Sequence, residues 1–388
     1  MNEIHVLHLI DGLTFGGAET LLRDLAAGQE KRGYRVTVGY STPGPFVQEL
    51  QNKGLKLKRI PRLALVDPVF MFRMIRLMRA DPPQVVHTHL FKSDFHGRLA
   101  ARLAGTPVVV STLHNNDVWA NYWLPAHLYG ATARWADRLI AVSAEVKAFH
   151  LQKTGVPESK VTVIENGVDV SAFDGYEEKA AAIRREFGVA PGAPVVGIIG
   201  RLKPQKDLPT FLRAAAEILR ERPDARFLAV GDGPLRAELE EQARSLGLFP
   251  ALVFTGMRKD VAAILAAIDI LALSSLWEGL PVILLEGMAA ARPVVSTAVD
   301  GITGVVLPNE TAFLTPVSAP SELAQACLRL IRDPQLARRM GEAGRRRVLE
   351  RYSLDVMIDR ISALYQELLR AKGVPVSSQI QPARRASP

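Results

Sequence analysis

Short apolar runs of strand length alternate with longer helical patterns through most of this 388-residue chain. In the first half the runs are His5–Ile10, Arg35–Tyr40, Val85–His89, Val108–Ser111, Leu139–Val142 and Val161–Glu165. Helical patterns at Ala18–Gly33, Phe46–Gly54, Val69–Arg79, Phe95–Ala104, Pro125–Ala136 and Ala144–Thr154 fill the spaces between them. A strand that reaches its neighbour through a helix runs parallel to it, so this alternation predicts a doubly wound α/β sheet. The turn signal Glu165-Asn166-Gly167-Val168-Asp169 interrupts the pattern, and residues 173–178 turn polar. A second alternation follows, with strands at Val195–Gly200, Arg226–Gly231, Leu252–Thr255, Asp269–Ser274 and Pro293–Ser296 and helices at Pro209–Arg222, Pro234–Leu246, Val261–Ala267 and Val282–Ala291. Three further helical stretches, Ser321–Ile331, Pro334–Glu350 and Leu354–Ala371, precede a Pro/Ser/Arg-rich end. The expectation is two Rossmann-like domains, 1–174 and 175–372, and a loose tail at 373–388.

Doubly wound sheets bind ligands at the carboxyl ends of their strands, so the residues that follow each strand matter most. Trp277–Ala291 reads strand end, loop and helix start, with Gly279 in the loop, Pro281 at the first helical position, and the carboxylates Glu278 and Glu286. The N–H groups of such a helix start suit an anion. Glu286 lies among Leu284, Leu285, Met288 and Ala289, where a carboxylate needs donors, and the two hydroxyls of a ribose would supply them. A glutamate reaching solvent from a half-exposed helix fits the same pattern. After the strand at 195–200, Arg201 and Lys206 stand beside another helix start, a pairing suited to a diphosphate or to two solvated charges. Gly16-Gly17 opens the first helix without the G-x-G-x-x-G spacing of a dinucleotide site, which argues against an NAD enzyme, and it also fits a plain turn. His87 and His89 share one strand face but lack a third metal ligand at a convincing spacing. His114, just past a strand end, fits either a ligand hydroxyl or a structural loop.

Composition narrows the class further. Hydrophobic content of 48% and charged content of 23% are globular values. The N-terminus has no cationic signal region and no run spans a bilayer, so a cytoplasmic protein is expected. The single cysteine, Cys327, excludes an internal disulfide and a cysteine metal cluster and is expected in the core. A net charge of +8 favours anionic partners: nucleoside diphosphates, anionic lipid headgroups or nucleic acid. Arg73, Arg76 and Arg79 on a Phe/Met-rich stretch permit peripheral membrane contact, or equally a surface helix with its apolar face in the core.

Six motifs then occur in one order: Gly16-Gly17-Ala18-Glu19, Asn166-Gly167-Val168-Asp169, Gly200-Arg201 with Lys206, Gly231-Asp232-Gly233-Pro234, Phe254-Thr255-Gly256, and Glu278-Gly279-Leu280-Pro281 with Glu286. In this the chain resembles the retaining glycosyltransferases of family 4 along nearly its full length, to about residue 371. The resemblance implies a GT-B architecture: two Rossmann-like domains facing a cleft, the first for the acceptor and the second for a nucleotide sugar, with the C-terminal helix crossing back to the first. It implies that Arg201 and Lys206 bind the diphosphate and Glu286 the ribose, while Glu278 and the backbone of Gly279, Leu280, Pro281 and Val282 contact the sugar. It also implies that His114 approaches the sugar from the first domain, that Gly16 and Gly17 lie near the phosphates, and that Met257 lies where the base is read. Of these, His114 and Glu278 are the expected catalytic pair. One departure stands out, since Asp300-Gly301-Ile302-Thr303-Gly304 lacks the glutamate many relatives carry in a Gly-Gly-x-x-Glu run there.

The expected reaction moves a hexose or N-acetylhexosamine from a UDP- or GDP-sugar to a hydroxyl of a glycan or lipid-linked acceptor. It would need no cofactor and no metal, since cationic side chains and helix starts can stabilise the departing diphosphate and the chain has no Asp-x-Asp motif. Nucleic acid is not an expected partner, and attachment to the inner face of the cell membrane would be peripheral. A nucleotide-sugar epimerase of GT-B fold, or a non-catalytic sugar-nucleotide scaffold, would carry many of the same residues.

Overall fold

A computed structural model of the chain describes residues 3–62, 67–116 and 118–376. The expected tail therefore falls mostly outside the described residues, and Asp117 in the loop after His114 does so too. The chain divides into two compact units. The first holds the described residues up to Gly167 together with those from Leu354 onward, and the second runs from Val168 to Ser353.

The first unit is built on seven strands: β1 His5–Gly12, β2 Arg35–Thr42, β3 Lys56–Arg59, β4 Val85–His89, β5 Val108–Leu113, β6 Arg138–Ala141 and β7 Val161–Val163. They form one parallel sheet in the order β3-β2-β1-β4-β5-β6-β7. The order reverses between β1 and β4, which opens a crevice at their carboxyl ends. Both faces are covered, as an all-parallel sheet requires. Val6, Ile10 and Val110 pack toward the helices Gly17–Lys31 and Leu354–Ala371, and Leu7, Leu9 and Val86 pack against Phe70, Met74 and Met78. The helix Pro68–Ala80 thus keeps part of its apolar stripe inside, while Val69 and Phe72 on its other side are exposed. Its start is capped by Asp67, which accepts from the Phe70 amide at 3.0 Å.

The second unit carries β8 Val195–Ile199, β9 Arg226–Val230, β10 Leu252–Gly256, β11 Ile270–Leu273, β12 Val294–Thr297 and β13 Ala312–Thr315. These are parallel in the order β10-β9-β8-β11-β12-β13, with the reversal between β8 and β11. Each unit is therefore the expected Rossmann-like doubly wound layer. Cys327 is in the core of the second, where burial pushes its thiol up to about 12.

Two edge strands escape the sequence pattern. β3 reads Lys-Leu-Lys-Arg, with only Leu57 packed against the core, and β13 is four residues long behind a turn. Edge strands tolerate charge and brevity because one side needs no partner. The helix Glu177–Glu186 is likewise unexpected, since its mostly polar sequence buries little besides Ala180 and Ile183.

The unit boundaries also differ from 174 and 372. The Val168 amide donates to the Tyr352 carbonyl at 2.9 Å, and Val168 pairs with Ser353, so the two crossings of the chain lie side by side. The short 3-10 turn Val170–Phe173 packs on helices of the second unit, which draws residues 168–174 into it. The last helix, Leu354–Ala371, belongs to the first unit. It crosses the first helix at Gly28, where a Cβ would stand 2.2 Å from the tip of the Ile358 side chain. Arg32 binds Asp355 and Asp359 at 2.6 Å each, and Arg360 binds Glu165 at 2.6 Å.

Candidate functional site

In the second unit the loops after β8, β9 and β11 meet at the carboxyl ends of the central strands. They fit because of glycine. Gly231 has φ +133°, and a Cβ there would lie 2.0 Å from the Gly200 carbonyl oxygen. The Gly200 amide donates to Val230 O at 2.9 Å and the Leu202 amide to Asp232 O at 3.0 Å, which holds the β8 loop down on its neighbour. Leu202 is buried and Arg201 is exposed at the rim. A short 3-10 turn, Pro204–Lys206, then leads into the helix Leu208–Glu221.

Lys206 turns back toward the β11 loop and donates from Nζ to Glu278 Oε1 at 2.5 Å. Glu278 is buried, and both its oxygens are satisfied. Oε1 also accepts from Ser275 Oγ at 2.7 Å, and Oε2 accepts from Gln205 Nε2 at 3.3 Å. Such satisfaction is what allows a carboxylate and an ammonium to be buried together. Gln205 does more: its Nε2 donates to Trp277 O at 2.9 Å, and its main-chain carbonyl accepts from the Leu276 amide at 2.8 Å. Ser274 Oγ donates to Lys206 O at 2.7 Å and Thr297 Oγ1 to Ser275 O at 2.6 Å. The two loops are stitched into one surface, with a small cleft lined by Gly200, Leu202, Lys206, Ser274 and Ser275. Sequence reasoning singled out Lys206 and Glu278 but not that they bind each other, and it missed Gln205, whose only signal is its place between Pro204 and Lys206.

Gly279, Leu280, Pro281 and Val282 are buried behind this surface, and the helix Val282–Ala289 starts just after Pro281. The turn at 300–304 braces them. Gly301 has φ +78°, and a Cβ there would stand 1.8 Å from Gly279 O and 3.0 Å from Glu278 O. Here, where the expected glutamate is missing, the chain instead presses its backbone against the loop that carries Glu278. Glu286 is half-buried one turn into the helix, on the same side as half-buried Ile283. Met257 is 48% exposed at the end of β10. Beside it Arg258 is held by Glu186 at 2.6 Å and Asp260 at 2.8 Å, and these bonds raise its pKa.

The first unit contributes a different surface. Gly16, in extended backbone, precedes the helix Gly17–Lys31 at the end of β1. Asp11 accepts from Ser93 N and Oγ at 2.7 Å each, tying the β1 end to the helix Phe91–Ala104. His114 follows β5 and lies against His89, Nε2 to Nδ1 3.1 Å. Burial pushes it down to about 4, so the ring is neutral near pH 7.

His8, His87 and His89 bring one ring nitrogen each within 4.8 Å of one another, a gathering the sequence did not reveal because His8 lies on a different strand. All six of their nitrogens are engaged. His8 binds Gln29 and His89, His89 binds His8 and His114, and His87 binds Tyr365 at 2.5 Å and Thr112 at 2.7 Å. In this arrangement the cluster is a set of hydrogen bonds among neutral rings and their neighbours.

Comparison with known proteins identifies the family of the chain. Residues 15–172 match the family model described as Glycosyltransferase Family 4, and residues 193–333 match Glycosyl transferases group 1. The chain is 30% identical over 315 residues to the UDP-Gal:alpha-D-GlcNAc-diphosphoundecaprenol alpha-1,3-galactosyltransferase of Escherichia coli, which covers 78% of this chain and 80% of that protein. It is 25% identical over 310 residues to the N-acetyl-alpha-D-glucosaminyl L-malate synthase of Bacillus anthracis, 78% of this chain and 80% of that one. Among solved structures, Anabaena HepE in complex with UDP-glucose superposes with a TM-score of 0.86 at 24% identity, covering 94% of this chain and all of that one, and shares its GT-B fold.

Proposed function

This chain belongs to glycosyltransferase family 4, and from that premise we infer that its second unit binds a nucleoside-diphosphate sugar in the loops after β8 and β11. The chain is a glycosyltransferase with the GT-B fold. The observation that carries the donor assignment is the ion pair of half-buried Lys206 with buried Glu278 at the point where the strand order reverses. An ammonium has three N–H donors, and one is given to Glu278, so two can turn to phosphate oxygens. Arg201 at the rim adds a planar fork for the same diphosphate. Glu286 accepts from the ribose hydroxyls, Met257 lies beside the base, and Glu278 with the backbone of Gly279 to Val282 orients the sugar. In the first unit Gly16 and Gly17 approach the phosphates, and His114 binds a sugar hydroxyl.

The reaction breaks the bond between the anomeric carbon and the diphosphate oxygen and forms one to an acceptor hydroxyl. The electron pair leaves with the diphosphate, whose charge Arg201, Lys206 and the helix starts stabilise. The acceptor's proton passes to the departing phosphate oxygen on the same face, so the anomeric configuration is retained. Glu278 is already occupied by Lys206, Ser275 and Gln205, which suits a charge-holding role better than nucleophilic attack.

The test is thermal shift of the whole protein against UDP-, GDP- and ADP-sugars, each with and without EDTA. Stabilisation by one nucleotide sugar in EDTA, lost in Glu286→Ala and Lys206→Ala, supports a metal-free donor site. No shift from any sugar nucleotide refutes it. Proton NMR of the product tests retention.

The acceptor is a glycan or a lipid-linked sugar, met at an anionic membrane through the first unit. Two exposed surfaces support this: Val69 and Phe72 beside exposed Arg73 and Arg76, and Tyr122, Trp123 and Leu124 at the start of the helix Trp123–Ala133. Aromatic residues with neighbouring arginines favour a lipid headgroup region. Among the described residues no helix is long and apolar enough to cross a membrane. Sedimentation with anionic vesicles, reduced in Phe72→Ser and Trp123→Ser, tests the contact.

A further inference from the structure

Three histidines of the first unit stand in single file from the middle of the sheet to its carboxyl edge. Gln29 Oε1 is 2.8 Å from His8 Nε2, His8 Nδ1 is 3.1 Å from His89 Nε2, and His89 Nδ1 is 3.1 Å from His114 Nε2. Gln29, His8 and His89 are buried, and His114 is half-buried at the outer end. Burial pushes His8 and His114 down to about 4, and burial with the neighbouring rings drives His89 well below its ordinary value. All three rings are therefore neutral near pH 7, and a neutral imidazole has one donor nitrogen and one acceptor.

One choice then sets the rest. The amide oxygen of Gln29 can only accept, so His8 carries its proton on Nε2 and its Nδ1 is an acceptor. His89 must donate to it from Nε2, and its own Nδ1 must accept from His114 Nε2. His114 is left with a lone pair on Nδ1, which makes no hydrogen bond among the described residues. His87 lies outside the file because Tyr365 and Thr112 hold its two nitrogens.

We propose that Gln29, His8 and His89 are positioning residues that fix the ring proton of His114 on Nε2 and so present Nδ1 as a hydrogen-bond acceptor for a hydroxyl of the substrate sugar. The substrate half of this proposal rests on the reading of His114 as a sugar contact. Its consequence is specificity. A sugar whose hydroxyl at that place is replaced by hydrogen or methoxy has no proton to offer, and the site discriminates against it.

The experiment is long-range 1H–15N NMR of the whole chain, 15N-labelled in its histidine rings, at pH 7.5 without ligand, with signals assigned through His114→Asn and His89→Asn. The expected result is the Nε2–H form for His8, His89 and His114 together. Gln29→Met keeps the bulk and removes the acceptor. It should move His114 into a mixture of forms and lower kcat/KM about tenfold, the worth of one hydrogen bond. An Nδ1–H form of His114 in the wild type overturns the proposal, as does an unchanged His114 ring in folded Gln29→Met. If Gln29→Met does not fold, the wild-type spectrum decides alone. Nε2–H rings together with normal turnover by His114→Asn would uphold the relay and refute the sugar contact, which separates the two failures.

Discussion

Lys206 and Glu278, 72 residues apart in the chain, form an ion pair at 2.5 Å, half-buried at Lys206 and buried at Glu278, between the two loops that flank the central strands of the second unit. At the proposed donor site these charges are therefore held in place before any ligand arrives. Such preorganisation is what makes electrostatic stabilisation effective, because nothing has to reorient as the diphosphate charge develops.

Lys206→Ala should lower kcat/KM by about 100-fold or more and destabilise the fold by about 3 kcal/mol, since it leaves Glu278 buried without its cation. The double variant Lys206→Met/Glu278→Gln should regain most of that stability and none of the activity. Urea melts and steady-state kinetics check both. Full stability in Lys206→Ala would mean that the pair does not hold the two loops together.

Gly301→Ala introduces a Cβ 1.8 Å from Gly279 O at a residue with φ +78°. The strain should cost about 2 kcal/mol. Because Gly279 carries the displacement to the donor loop, KM for the nucleotide sugar should rise several-fold. An unchanged KM would show that the 300–304 turn does not support that loop.

Gly28→Ala and Gly28→Leu should part ways. The atom a Cβ would meet is the tip of Ile358, which can turn aside, so alanine should be near neutral, helped by its better helix propensity. Leucine should separate the helices Gly17–Lys31 and Leu354–Ala371 and cost about 2 kcal/mol. Thermal melts of the two variants decide.

Acid should weaken the protein before its carboxylates protonate. His8 and His150 are buried and pushed down to about 4 from an ordinary 6.5. The unfolded chain takes up protons that the folded one refuses, so stability falls as the pH drops from 6.5 toward 4. At pH 5 each should subtract roughly 2 kcal/mol. Asp94, raised by burial, works the other way, because the folded chain takes up its proton more readily than the unfolded one and so gains stability as the pH falls toward the ordinary carboxylate range. Urea midpoints at pH 7.5 and 5.0 provide the check, and equal midpoints would contradict it.

The sequence carried the sheets well where strands are central and buried. Runs such as Leu139–Val142 and Val195–Gly200 match the structure to within a residue, because burial on both faces demands continuous apolar character. β3 and β13 stayed hidden, since an edge strand is under no such demand. Arg201, Lys206, Glu278 and Glu286 stood out by their position after strand ends. Their mutual geometry did not, because the Lys206–Glu278 bond depends on two loops being stitched by Gln205 and Ser274. The histidine file was less legible still. Nothing near His114 in the chain points to Gln29, and only the register that sets His8 beside His87 across β1 and β4 brings the file together.

The helix Leu354–Ala371, which closes the first unit, is made only after the whole of the second. As the chain leaves the ribosome the second unit has all its residues by Ser353, whereas the first still lacks the helix that covers Gly28, Tyr34 and His87. The half of the protein that begins first therefore finishes second, and until then its exposed apolar face is the part of the nascent chain most in need of a chaperone.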